Sequence, residues 1–261
     1  KESKNNIYLC FSKREAEGVS TALSVSSLRN NELNSTRILF SSNNRSNSTV
    51  HFGCRIGIKG NYVYLSIGDR GDRHQSQNPR SHAGSIIKIN KYNGSLPSGS
   101  NFQNNWLPEL FTKGHRNPQG MAIHLENGDI WVNEHGPKGG DEINILKKGK
   151  NYGWPIVTHG KEYFGGKVGN GIKTLKGFED PIWYWVPSIA PSGMAFYNKD
   201  MFPEFKGHLL VSSLKFKSIY LVGLKSGLPY SEEVFFEHKF GRIGDIEVLK
   251  DGSILIINNM K

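Results

Sequence analysis

Twelve consecutive residues, NEHGPKGGDEIN at 133–144, hold three carboxylates, a histidine, a proline and three glycines. A hard cation takes roughly six to eight oxygens, many of them backbone carbonyls, and glycine lets the backbone come close enough to offer them. The spacing is not that of an EF-hand loop. On residue types alone the run is a metal site or a turn cluster, and an acidic loop compensating nearby lysines is the plainer alternative. His135 lies in this run and is the first histidine to invite a catalytic reading. Three further stretches are as polar and glycine-rich: HFGCR (51–55) with GDRGDR (68–73), KGHRNPQG (113–120) and PSIAPSG (187–193). A neutral histidine such as His51 can take a proton near neutral pH; the alternative is a histidine that caps or packs at a strand start. Asp69, in the GDRG turn, could orient such a base or simply close the turn. Arg116 has the planar fork that suits a carboxylate or an oxygen developing negative charge.

These loops need a scaffold, and the rest of the chain reads as strands. Apolar residues come in short bursts rather than long helical stripes, and 30 glycines mark many tight turns. A hairpin unit recurs in IGIKGNYVYLSI (56–67), MAIHLENGDIWVN (121–133) and IEVLKDGSILIIN (246–258), with a looser copy from MAFYN (194–198) to GHLLVSS (207–213). Further strands are predicted at 7–12, 22–28, 37–40, 85–90, 142–146, 183–186, 218–224 and 233–238. A repeated hairpin with variable insertions predicts an all-β propeller of four to five blades over a β-sandwich. Loops at one end of the blades then converge on the central channel, so residues distant in sequence can build one pocket. The chain opens on one strand and stops just after another. It is therefore expected to be one propeller domain over 1–261 that lacks its first blade and its closing strand.

Composition narrows the partners. The net charge of +10 is spread through turns such as KKGK (147–150) and does not interleave with aromatics as a nucleic-acid stacking platform would, so a solvated basic surface is expected and no nucleic-acid partner. No apolar run reaches the roughly 20 residues of a membrane span, and KESKNN at the start lacks the apolar core of a leader. Cys10 and Cys54 can form at most one bridge and are read as small buried side chains.

The runs HFGCRIG, IGDRGDR, GHRNPQGMA, EHGPKGGDEIN, GKNYGWP, WVPSIAPSGMAFY, LLVSSLK and RIGDIEVLKDGS follow one another from about residue 50 to the end. In that order they resemble the soluble quinoprotein glucose/sorbosone dehydrogenase family, nearest its aldose sugar dehydrogenase branch. The resemblance implies a six-bladed β-propeller that binds pyrroloquinoline quinone and calcium. It implies oxidation of an aldose at C1 to the lactone, with hydride passing to the quinone and electrons to an external acceptor. It implies His51 as base, Asp69 as its orienting acid, and Arg116 with Asn117 at the quinone. Ser188, Lys215 and Arg242 become further cofactor contacts. The carbonyls of Gly136 and Pro137 would hold a catalytic calcium, with Asp141, Glu142 and Tyr152 around a structural one, and His135 yields the catalytic role to His51. A periplasmic or secreted protein, monomeric or homodimeric, goes with this family. The sequence departs from it where the glucose-specific branch has a second arginine and this chain has Gly244, and at Ser188, where threonine is frequent. A glutamine that the family brings from the part expected to be missing has no counterpart. A non-catalytic binding propeller, or an inactive fragment of the same fold, is the rival reading, since fold alone does not fix function. The joint presence of His51, Asp69 and Arg116 weighs against it.

Overall fold

The computed structural model describes residues 5–99 and 105–259. Among the described residues five sheets, antiparallel but for one two-residue strand, follow one another along the chain. The first is β1 (Asn6–Glu15), β2 (Gly18–Arg29) and β3 (Glu32–Ser41). The second runs through β4 (Gly53–Lys59), β5 (Tyr62–Ile67), β6 (Ser85–Asn90) and β7 (Leu110–Lys113). The third takes β8 (Pro118–Ile123), β9 (Ile130–Glu134) and β10 (Asp141–Ile145). A two-residue β11 (Lys150–Asn151) returns to lie parallel to β7, and β12 (Trp183–Trp185) completes the third sheet beside β10. The fourth is β13 (Pro191–Tyr197), β14 (His208–Ser213), β15 (Ser218–Lys225) and β16 (Leu228–Phe235); the fifth pairs β17 (Arg242–Val248) with β18 (Ile254–Asn259). Strand β4 packs on β8, β8 on β13 and β13 on β17, so the opening strands of successive sheets line a common centre. These are the blades of a β-propeller, and all four hairpin copies expected from the repeat fall on it, as β4–β5, β8–β9, β13–β14 and β17–β18.

Period-2 alternation builds the core, because successive side chains of a strand face opposite neighbours. In β5, Val63, Leu65 and Ile67 turn to the first sheet and pack with Leu23, while Tyr64 turns to the third and packs with Met121, Ile130 and Val132. In β14, Leu209 and Val211 meet Trp131, Ile143 and Trp185, whereas Leu210 meets Ile243 and Ile246 of the last sheet. Four apolar layers thus fill the four interfaces between five sheets.

The structure moves three expectations. Cys10 of β1 and Cys54 of β4 are half-buried rather than buried, and they are joined in a disulfide that ties the first sheet to the second. Strand β16 begins at Leu228 and stops at Phe235, short of the expected 238, where Phe236 and His238 adopt left-handed backbone angles (φ 59° and 57°) and the pairing with β15 ends. Strand β7, with only four residues before Gly114, is too short for its alternation to register in the sequence.

Candidate active site

At the centre, Arg55 of β4 donates to the Gln119 carbonyl of β8 and forms an ion pair with Asp245 of β17, joining three sheets. A cavity of about 560 Å³, within the usual range for small-molecule sites, opens among the loops. Its walls come from His51, Arg116, His135–Gly139, His159, Lys161, Tyr163, 186–188, Ala190 and Lys215. The sequence stretches that read as chemically unusual are the ones that converge.

His51 precedes β4 with φ 53°, a left-handed conformation that histidine adopts more readily than most residues. Its carbonyl accepts from Arg70 N–H, and it approaches Gly68 so closely that a β-carbon there would stand 2.1 Å from the oxygen. That glycine is a steric requirement of the site. The ring Nδ1 lies 2.6 Å from Asp69 Oδ1. Since a carboxylate only accepts, Nδ1 carries the proton, which leaves Nε2 as the basic nitrogen of a residue that lines the cavity. Asp69 is 1% exposed and fully engaged: Oδ1 also accepts from Gly71 N–H, and Oδ2 from the indole of Trp154 at 2.8 Å. Burial pushes its carboxyl up, but the His51 hydrogen bond and charge, with the Gly71 and Trp154 donors, pull it net below the ordinary carboxylate value.

Arg116 is 5% exposed and makes no ion pair among the described residues. Its Nη1 donates to the His135 carbonyl and Nη2 to the Tyr163 hydroxyl, each at 3.0 Å, while Nε is buried without a partner. Trp154 lies 5.3 Å from the guanidinium centre, ring to cation. The Arg116 N–H is held by Glu134 Oε2, and the other Glu134 oxygen is bonded to His115. Lys215 donates to the Ser188 carbonyl at 3.0 Å and likewise has no carboxylate partner among the described residues. Lys138 and Lys161 stand in the same walls, and no Asp or Glu lines the cavity. So positive a site without a counter-charge suits an anionic ligand.

Other predicted residues fall outside the walls. Asn117 is buried; its Oδ1 accepts from Gly53 N–H and Gln119 Nε2, which ties the start of β4 to β8. Arg242 is exposed at the first position of β17 and is not among the cavity residues.

In the acidic run, Gly136 and Pro137 line the cavity, and neither carbonyl is taken by a backbone N–H among the described residues. A β-carbon on Gly136 would meet the Gly139 and Gly140 backbone at 2.3 Å. Backbone carbonyls of this kind are the oxygens a hard cation takes. The Asp141 side chain has a different occupation from the expected one: Oδ1 accepts from Gly136 N–H, and Oδ2 from Ser188 Oγ and the N–H groups of Ile189 and Ala190. The Tyr152 hydroxyl donates to the Ile145 carbonyl and accepts from Lys147 N–H. Asp141 Oδ1 carries a single donor, and Glu142 and Tyr152 both border a very small interior void beside Glu134, Gly140 and Thr158. Burial, and next the charge of Glu134, push the Glu142 carboxyl well above the ordinary value, while Asn144 Nδ2 donates to its Oε2. His135 donates from Nε2 to the Pro191 carbonyl, and burial lowers its basicity, so it is a neutral, committed ring.

Sequence reasoning passed over Trp154, Tyr163 and Glu134. Glu134 carried a signal: it closes IWVNE, a strand in which every residue is buried, so a carboxylate there required a purpose. Tyr163 carried none.

Among the described residues no helix is long and apolar enough to cross a membrane. The glucose/sorbosone dehydrogenase pattern matches residues 2–261. The chain is 35% identical over 213 residues to the aldose sugar dehydrogenase YliI of Escherichia coli (strain K12), covering 80% of this chain and 57% of that protein. It is 26% identical over 268 residues to quinoprotein glucose dehydrogenase B of Acinetobacter calcoaceticus, covering 75% of this chain and 55% of that protein. The crystal structure of the soluble aldose sugar dehydrogenase from Escherichia coli in the apo-form superposes with a TM-score of 0.91 at 32% identity, over 97% of this chain and 74% of that one. The chain therefore spans less than two thirds of the length of these curated relatives, and it belongs to the glucose/sorbosone dehydrogenase family.

Proposed function

We propose that this protein oxidises the C1 of a cyclic aldose to the lactone with pyrroloquinoline quinone as cofactor. The observation that carries the reading is the cavity itself, where His51, backed by Asp69, shares walls with unpaired Arg116 and Lys215 and with no carboxylate. When bound, pyrroloquinoline quinone supplies the two-electron acceptor for hydride from C1 and passes the electrons to an external acceptor. Arg116, whose Nε lacks a partner, and Lys215 would hold its carboxylates and quinone oxygens, and Asn117, outside the cavity walls, has a weaker claim. The Gly136 and Pro137 carbonyls would hold a calcium beside it, and Glu142 a second. Arg242 and the hydroxyl of Ser188, which is bonded to Asp141, have weaker claims on the cofactor.

His51 Nε2 takes the proton of the C1 hydroxyl. Asp69 fixes the tautomer that makes this possible and stabilises the imidazolium that results. Trp154 and Gly71 keep the Asp69 carboxylate ionised and in place. The Cys10–Cys54 disulfide favours an oxidising compartment, which supports export to a periplasm or the outside.

The test supplies purified protein with pyrroloquinoline quinone and calcium and follows dye reduction with a panel of aldoses. Activity that vanishes in His51→Gln supports the reading. Absence of activity on every aldose, or equal activity in His51→Gln, removes it.

A further inference from the structure

The loop between Val157 and Ile172 folds over the cavity, bridged through Lys161 to Lys138 on one side and to Lys167 on the other. Its turn is closed by Gly165 N–H donating to the Glu162 carbonyl and Glu162 N–H to the Gly166 carbonyl. Two side chains at this turn reach the catalytic wall. Glu162 makes a two-point ion pair with Arg73, at 2.5 and 3.2 Å. Arg73 in turn lies 5.4 Å from the ring of Trp154, whose indole holds Asp69. Next in sequence, Tyr163 accepts from Arg116 Nη2, lines the cavity and still exposes 61% of its surface. Large aromatic side chains with that much exposure are ordinary when scattered. This one is fixed at its hydroxyl to a buried arginine and at its neighbour to Arg73, so its open ring faces a cavity in a defined orientation.

We infer that Tyr163 is a specificity-determining residue whose ring forms the face against which the apolar C–H side of the aldose ring is laid. Glu162, through Arg73, is the positioning residue that holds it there. The inference rests on the reading of this cavity as the aldose site. An aromatic face is matched by a sugar ring that presents several axial hydrogens on one side, and it discriminates against epimers that interrupt that side with a hydroxyl. Selectivity among aldoses would then reside in a loop whose sequence, HGKEYFGGKVGNGIK, gives no motif.

The test compares Tyr163→Ala, Tyr163→Phe and Glu162→Gln in the cofactor-loaded protein, with KM and kcat measured separately for a panel of C2, C3 and C4 epimers. Sugar binding to the cofactor-free protein is followed in parallel by tryptophan fluorescence. Tyr163→Ala is expected to raise KM for the preferred epimer about tenfold, equivalent to about 1.4 kcal/mol, and to level KM across the epimers, with kcat changed far less. Tyr163→Phe keeps the ring and should keep the KM ranking. Glu162→Gln should shift KM in the same direction as Tyr163→Ala and speed protease cleavage at Gly165–Gly166. An unchanged KM ranking in Tyr163→Ala, with His51→Gln inactive, overturns this inference alone. An active His51→Gln overturns the reading beneath it.

Discussion

Asp141 and Ser188 stand 47 residues apart and meet through a 2.6 Å hydrogen bond from the serine hydroxyl to Asp141 Oδ2. The same oxygen takes the N–H groups of Ile189 and Ala190, and Oδ1 takes that of Gly136, so one buried carboxylate joins two cavity walls. Asp141→Ala would leave the Gly136 and Ile189 N–H groups without acceptors and Ala190 N–H with only its longer bond to Ser188 Oγ. At about 1–3 kcal/mol for each orphaned group this predicts a loss of at least about 2 kcal/mol of stability, and Ser188→Ala about 1 kcal/mol. Urea unfolding midpoints check both, and equal, small losses would show that the carboxylate has no such bridging role.

Asp69 provides a pH-dependent prediction. Its folded carboxyl lies below the ordinary value, so its contribution to stability is complete above about pH 4 and disappears as pH falls through the lower folded value. Asp69→Asn should therefore unfold with a shallower dependence on pH in that acid range than the parent. It should also lower kcat by roughly 10²–10⁴, with KM changed little, because the His51 tautomer is no longer fixed.

Calcium is expected to stabilise the protein. At a calcium concentration about a hundredfold above Kd the gain is about 2.7 kcal/mol, several degrees in Tm, and a chelator should remove it. Glu142→Gln should shrink the calcium-induced shift, since its carboxylate faces the interior void.

Reduction of the Cys10–Cys54 bridge opens a loop with a sequence separation of 44. Chain entropy predicts a cost of roughly 3–4 kcal/mol. A Cys10→Ser variant should show the same cost and be insensitive to reductant.

The blades were legible because alternation around short turns is a local property, and β4–β5 from Ile56 onward or β17–β18 from Asp245 onward carry it without interruption. The convergence of His51, Arg116, Gly136 and Lys215 was legible only through ordered motif runs, since nothing local in KGHRNPQG says which loop it will face. What stayed hidden depends on three-dimensional neighbours. Asp141 reads as a metal ligand by type, but four donors from two loops reach it first. Trp154 enters the sequence only as part of GKNYGWP, and nothing there says that its N–H is directed at a carboxylate 85 residues away. Cys10 and Cys54 read as isolated because the distance between β1 and β4 is a property of sheet packing.

The ion pair between Arg55 and Asp245, with its added bond to the Gln119 carbonyl, has a consequence for how the molecule comes apart. A two-stranded sheet is marginal by itself. Tied at its inner strand to β4 and β8 and packed through Ile243 and Ile246, the β17–β18 pair opens with its neighbours. Amide exchange in β17 is then governed by the large cooperative unit and not by local opening of the β17–β18 pair.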